Sequence, residues 1–296
     1  MPTRQYMHSF NSFLDIRKTI INFLEEDVGT GDITSNSIVP PDITMQAVIV
    51  CNSIKESVVC GLEEASIVFD ICKCKYKVII KDGSWVKRGN IVMKITGKAH
   101  SILKAERTAL NLIMRMSGIA TITRTFVDRV EKYDHLVSIA GTRKTAPGLR
   151  FFDKKAITVG GGYPHRFRLD DMVLIKDNHL LLTSSIERSI QLAKAKVGSS
   201  VKVECEVKNI NEALEAINAG ANIIMLDNFS PSEAAETIKV ITEIGARNNV
   251  QIEVSGGINL NNLRDYVEAK PDIISVGYLT HSSEAVDYSL EVVKTV

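Results

Sequence analysis

The sequence predicts an α/β protein, a β-rich N-terminal module followed by a parallel barrel, and three observations carry that prediction. From residue 136 onward, short apolar runs alternate with segments of helical period, the pattern of repeated βα units. Polar residues suited to anions or metals stand at the ends of those runs, as they do on the C-terminal face of α/β barrels. Before residue 100 the apolar runs are short and broken by turn residues. A chain of 296 residues is near twice the usual domain size, long enough for one large barrel or two domains with a substantial core.

Taken in order, residues 9–27 read as a helix. Phe10, Phe13, Leu14, Ile20, Ile21 and Leu24 recur at near-helical spacing, and Val28-Gly29-Thr30-Gly31-Asp32 ends the run. A polar turn is expected next. Short β-type runs follow at 45–50, 75–80 and 90–95, punctuated by Lys81-Asp82-Gly83-Ser84 and Arg88-Gly89. Cys72 and Cys74 alternate with Lys73 and Lys75, a strand-like pattern that puts both thiols on one buried face as small apolar groups. Helical period returns over 101–131 without a Pro- or Gly-rich linker. The change of period alone therefore sets the boundary between a first domain, 1–105, and a second, 106–279. Residues 280–296 are candidates to pack with the first.

In the second half the apolar runs are 136–140, 172–175, 201–207, 222–226, 251–254 and 272–276, with helices such as 210–219 and 231–244 between them and Gly220 as a helix stop. An open doubly wound sheet would satisfy the same alternation. A barrel, incomplete if not closed, is preferred because of what ends the strands: Arg143 and Lys144, Lys176, Glu206, Asp227, Ser255-Gly256-Gly257 and Gly277.

Composition excludes several classes. No apolar run approaches the roughly 20 residues that span a bilayer, and the first eight residues lack an apolar stretch after their charge, so a cytoplasmic enzyme is expected. The formal net charge of +1 argues against nucleic acid, whose binders carry a marked basic excess on one face. The five cysteines form no CxxC pair and give no zinc or redox signature.

The chemistry-bearing residues concentrate after residue 140. From Arg143 to Asp177, Arg143, Lys144, Arg150, Lys154, Lys155, Arg166, Arg168 and Lys176 outnumber Asp153, Asp170, Asp171 and Asp177, and His165 sits among them. Arginine forks and lysine ammonium groups in such a set suit a small substrate with several negative groups. Arg143, Lys144 and Lys176 at strand ends are read as functional, and His165 is the best histidine for substrate contact. Lys154, Lys155 and Arg168 are expected on a solvated surface. His8, His100 and His135 are taken as surface or structural, and His179 and His281 are left open. Glu204 and Glu206 share one face of their strand, opposite Cys205. Glu206 and Asp227 suit ribose hydroxyls, a Mg²⁺ ion or a developing positive charge, with an ion pair to a lysine as the alternative; Glu204 is undecided. Ser255-Gly256-Gly257 would bring backbone N–H groups to an anion, aided by the N-terminus of the next helix. Gly160-Gly161-Gly162 lacks the context of a dinucleotide fingerprint and is expected to form a flexible substrate loop.

These segments resemble the quinolinate phosphoribosyltransferase family over nearly the whole chain, from Glu25-Glu26-Asp27-Val28-Gly29-Thr30-Gly31-Asp32 to Leu279-Thr280-His281-Ser282. The most specific pieces, in order, include Glu106-Arg107-Thr108-Ala109-Leu110-Asn111, Gly141-Thr142-Arg143-Lys144-Thr145, His165-Arg166, Leu174-Ile175-Lys176-Asp177-Asn178-His179, Leu226-Asp227-Asn228 and Ser255-Gly256-Gly257-Ile258. The resemblance implies an N-terminal α/β sandwich and an incomplete, TIM-like α/β barrel. It implies a homodimer, or a higher homo-oligomer, with active sites at the subunit interface and Arg107 reaching the neighbouring subunit's site. The implied activity is transfer of phosphoribose from phosphoribosyl pyrophosphate to quinolinate, giving nicotinate mononucleotide, carbon dioxide and pyrophosphate in NAD biosynthesis, with Mg²⁺ as cofactor. By the same carry-over Arg143, Lys144, His165, Arg166 and Lys176 line the quinolinate pocket, with Lys144 also catalytic. Glu206 and Asp227 serve the Mg²⁺-bound donor and the transition state, and Ser255, Gly256, Gly257 and Gly277 cradle the 5-phosphate. Ala146, Tyr278 and Tyr163-Pro164 depart from the usual pattern without removing a ligand. A nicotinate-specific paralogue, a paralogue associated with molybdenum transport and a non-catalytic binder of phosphorylated metabolites are the rivals.

Overall fold

A computed structural model describes residues 15–134 and 136–295. By packing, the chain divides into two compact units. The first runs to Ile122 and adds Thr158–Gly160 and the stretch from Ser283; the second is Thr123–Ile157 with Gly161–Ser282.

The first unit begins with a helix, Ile16–Val28, that Asp15 caps by accepting from the Lys18 N–H at 3.0 Å and that Gly29, φ 54°, ends. Its apolar face buries Ile20 and Leu24, whereas Phe10, Phe13, Leu14 and His8 lie outside the described residues, as does His135. In place of a polar turn there is a short helix, Ile33–Ile38, with Asp32 accepting from the Ser35 N–H. Strands β1 (Thr44–Cys51), β2 (Ser57–Val58), β3 (Lys75–Val78), β4 (Trp85–Val86) and β5 (Ile91–Lys98) follow. β5 pairs antiparallel with β1 on one side and β3 on the other, and β2 pairs with β4. A helix unanticipated in sequence, Leu62–Ile71, enters between β2 and β3. Cys72 ends that helix, and Lys73 turns the chain at φ 60°. The two thiols are buried as expected, but through a helix end and a turn instead of a strand, and burial pushes the Cys74 thiol up to about 11.

A helix of 33 residues, Ala99–Glu131, carries the division between units at Ile122/Thr123 without a break. The second unit then lays down β6 (Ser138–Ala140), β7 (Val173–Ile175), β8 (Val203–Val207), β9 (Ile223–Asp227), β10 (Gln251–Ser255) and β11 (Ile273–Ser275) as one parallel sheet in the order β6-β11-β10-β9-β8-β7. All six runs predicted after residue 136 are therefore strands. The first strand pairs with the last, so the sheet curls into a barrel open at a single seam between β6 and β7. The seam is partly bridged where Tyr163 pairs with Ala140. Helices Arg150–Val159, Asp177–Thr183, Ile186–Val197, Ile210–Asn218, Pro231–Glu243 and Leu263–Glu268 connect these strands. Capping fixes several starts: Ser230 and Glu233 form a capping box around Pro231.

After a one-turn helix, Tyr278–His281, the chain returns to the first unit as β12 (Tyr288–Thr295) and pairs antiparallel with β1, Ile49 opposite Leu290.

Candidate active site

Alternation along a strand sends every second side chain to the same face. Leu174 of β7, Glu206 of β8, Met225 and Asp227 of β9, Glu253 and Ser255 of β10 and Ser275 of β11 are such a set, and all line one cavity of about 630 Å³ at the strand C-terminal ends. Register holds the rows together: Glu206 is level with Met225, and Asp227 with Ser255 and then Ser275.

The cavity wall carries charges of both signs. Around the seam stand Arg143 and Lys144 after β6, His165 and Arg166 from the segment beyond Tyr163, and Lys176 after β7. Arg143 Nε is buried with no hydrogen-bond partner, a donor left for an anion. Burial, then the neighbouring Arg143, pulls the Arg166 guanidinium below its ordinary value. Lys176 is half-exposed and ion-paired with Glu206; its backbone N–H donates to His179 Nδ1 at 2.9 Å, which gives His179 a structural task in aiming Lys176. The lysine pairing named as the alternative for Glu206 is thus present inside the cavity.

Two expectations are corrected here. Lys154 and Lys155, expected in solvent, are 2% and 9% exposed, because helix Arg150–Val159 is enclosed around most of its circumference. Burial, then Arg150, lowers the Lys154 ammonium to about 7. Arg168 is half-buried and pairs with Asp170 at 3.1 Å. Nor do Gly160, Gly161 and Gly162 line the cavity. A Cβ on Gly162 would lie 2.7 Å from Thr123 Cγ2 and 2.9 Å from Ile157 Cγ2, so this glycine is required by close packing.

Beneath the cationic wall, His165 holds a left-handed backbone, φ 55°, and its Nε2 lies 3.0 Å from Glu253 Oε2 and 3.6 Å from Glu204 Oε2. Glu253 also accepts from the Ser275 hydroxyl. Neither oxygen of fully buried Glu204 has a hydrogen-bond partner. Burial, with Glu253 close by, raises its carboxyl well above the ordinary range.

The loops after β9, β10 and β11 complete the cavity. Asn228, φ 60°, donates its N–H to Ser255 O at 2.8 Å and its side-chain amide to Asp227 Oδ2 at 2.8 Å. Gly256 takes φ 109°, and a Cβ there would lie 2.3 Å from Asn228 Oδ1. The expected helix N-terminus does not follow directly: the next helix starts at Leu263, and Asn259 and Asn262 instead donate their amides to Gly257 O. Gly277 faces Lys144 and His281, whose Cδ and Nε2 would sit 3.1 and 3.2 Å from an added Cβ. The Thr280 hydroxyl donates to Lys144 O at 2.7 Å.

The cavity thus gathers Arg143, Lys144, His165, Arg166, Lys176, Glu206, Asp227, Ser255, Gly256, Gly257 and Gly277 from the sequence-derived set. Arg107, exposed on the long helix, is not among its lining residues. Glu253, Ser275 and His281 line it without having been singled out as site residues; alternation from Ser255 back to Glu253 was the available signal for the first.

Comparison with known proteins follows this geometry. Residues 32–117 match the N-terminal domain of quinolinate phosphoribosyl transferase and residues 119–291 its C-terminal domain. The chain belongs to the quinolinate phosphoribosyltransferase family. Within that family it is 44% identical to a probable nicotinate-nucleotide pyrophosphorylase (carboxylating) of Methanocaldococcus jannaschii over 94% of this chain and 97% of the relative. The Homo sapiens nicotinate-nucleotide pyrophosphorylase (carboxylating) is 36% identical over 76% of this chain and 75% of the relative. The crystal structure of the nicotinate-nucleotide pyrophosphorylase of Ehrlichia chaffeensis superposes with a TM-score of 0.88 at 35% identity, covering 95% of this chain and 100% of that one. Family membership accords with a parallel barrel carrying a cationic cavity at its open end.

Proposed function

We propose that the chain is a quinolinate phosphoribosyltransferase, a pentosyltransferase that joins quinolinate to phosphoribosyl pyrophosphate and releases carbon dioxide and pyrophosphate, and that it works in the cytoplasm. The observation that carries this reading is the gathering in one cavity of Arg143, Lys144, His165, Arg166 and Lys176 with the carboxylates Glu206 and Asp227 and the Ser255-Gly256-Gly257 loop. Two carboxylates on adjacent ring carbons fit the seam side, where Arg143 keeps an unpaired buried donor and Arg166 supplies a planar fork. The 5-phosphate fits the loop at Ser255-Gly256-Gly257 and Gly277, where the absence of side chains lets backbone approach an anion.

In this arrangement the seam cations hold the pyridine ring with its nitrogen toward the sugar, and binding energy becomes orientation. Glu206 and Asp227, on adjacent strands, stabilise positive charge developing at the anomeric carbon as its bond to the ring nitrogen forms and its bond to the pyrophosphate oxygen breaks. Lys144, held by the Thr280 hydroxyl on its carbonyl, faces the departing pyrophosphate. Once alkylated, the ring nitrogen is cationic, so the adjacent carboxylate leaves as carbon dioxide with its electron pair kept on the ring carbon, which then takes a proton. Glu206 and Asp227 offer oxygen donors only, which suits Mg²⁺ shared with substrate phosphates. When bound there, the ion would neutralise the pyrophosphate charge. The enzyme is proposed to act as a homodimer or higher homo-oligomer in which Arg107 of one subunit serves its neighbour's site.

Purified protein incubated with quinolinate, phosphoribosyl pyrophosphate and Mg²⁺ is expected to release carbon dioxide and form nicotinate mononucleotide, with nicotinate inert in parallel. Product from nicotinate alone, or from neither, refutes the assignment.

A further inference from the structure

Lys154 is a buried cation on a helix whose neighbouring residues are also buried, at a position where an apolar side chain would fill space at less cost. Its ammonium donates to two backbone carbonyls, Pro164 O and Arg166 O, the latter at 3.1 Å. Those carbonyls flank His165, the residue held at φ 55°. A left-handed backbone at a residue with a side chain persists only where its surroundings over-determine it. Here two convergent carbonyls on one ammonium supply one constraint, and Glu253, 3.0 Å from the imidazole, supplies another. The two side chains projecting from this turn, His165 and Arg166, line the cavity.

We propose that Lys154 is a positioning residue for quinolinate, its ammonium locking the left-handed turn that presents His165 and Arg166 to the substrate. The inference rests on the reading of this cavity as the quinolinate site. The charged groups that act on Lys154 include Arg150 on its own helix, Arg143, Arg166 and Asp171, with Asp153 and Lys155 adjacent in sequence. Burial and the three arginines favour loss of its proton and Asp171 opposes it, which brings the group to about 7. The ammonium therefore gives up its proton more readily than an exposed lysine does.

The test is steady-state kinetics of Lys154→Met and Lys154→Gln against the wild type, each substrate varied in turn, with thermal melts alongside. For Lys154→Met the KM for quinolinate is expected to rise at least tenfold while the KM for phosphoribosyl pyrophosphate stays within twofold. Lys154→Gln, which keeps neutral donors, should show a smaller rise in the same parameter alone, and it carries the comparison if the methionine variant does not fold. In the wild type the quinolinate KM should climb as pH passes upward through about 7, a limb missing from Lys154→Met. A folded variant whose quinolinate KM stays within twofold of wild type, or whose two KM values rise together, overturns the proposal. A wild type without quinolinate turnover refutes the assigned function instead, before any variant is compared.

Discussion

Gly256→Ala puts the phosphate loop under a load whose size follows from the geometry. The added Cβ would lie 2.3 Å from Asn228 Oδ1 and 2.9 Å from Asn228 Cα, and the backbone at φ 109° is one that alanine rarely adopts. Backbone strain of this kind costs about 1–3 kcal/mol and overpacking about another 1–3 kcal/mol. Asn228 cannot swing away freely, since its N–H is tied to Ser255 O and its amide to Asp227 Oδ2, both at 2.8 Å. Either the loop keeps its shape and the cost appears as lost stability, or it relaxes and the cost appears in the use of phosphoribosyl pyrophosphate. A loss of about 2 kcal/mol corresponds to roughly thirtyfold in kcat/KM. The assay varies phosphoribosyl pyrophosphate at saturating quinolinate, with a thermal melt of the same preparation. A variant within twofold of wild type in kcat/KM for the donor, and melting at the same temperature, refutes both the loop geometry and its assignment to the phosphate.

Lys144→Ala should lower turnover by at least a hundredfold with an unchanged melt, and near-normal kcat removes Lys144 from the chemistry. If Arg107 acts across subunits, mixing inactive Arg107→Ala and Lys144→Ala chains should restore part of the activity; no recovery after demonstrated subunit exchange excludes that role. Glu204→Gln should gain stability relative to wild type as pH rises. A carboxyl whose folded value is raised binds its proton more tightly in the native state, so its contribution is full below the unfolded value and is lost as pH climbs through the folded one. Melts of both proteins from pH 5 to 8 check this, and a constant difference counts against a raised Glu204 carboxyl. Chelation of divalent ions should abolish turnover, and Asp227→Asn should need several-fold more Mg²⁺ to regain it; an unchanged Mg²⁺ requirement moves the ion elsewhere.

The parallel strands were legible because β7, β9 and β11 read as nearly continuous apolar runs and β8 and β10 alternate apolar with polar residues. Their polar termini were legible for the same reason, since Glu206, Asp227 and Ser255 interrupt apolar sequence where burial alone would not. The helix Leu62–Ile71 was hidden by its place among short β-type runs, and β12 ends in five exposed residues, which weakens any alternation signal. Lys154 defeated the reading because composition places lysine in solvent; only the fold brings Pro164 and Arg166 carbonyls to its ammonium. Likewise Glu204 and Glu253 come from strands on either side of β9, and their meeting at His165 depends on barrel curvature that no local pattern encodes.

The pairing of β12 with β1 joins residues 45–51 to residues 288–295, which sets an order on synthesis. Throughout translation of the barrel, β1 has β5 on one side only, and its other edge, with Ala47 and Ile49 destined for burial, stays open for want of a partner still inside the ribosome. Such an unpaired edge is a template for wrong pairing. The first unit to emerge is therefore among the last to be finished, and slowed elongation through the barrel should lengthen the interval in which that edge is open.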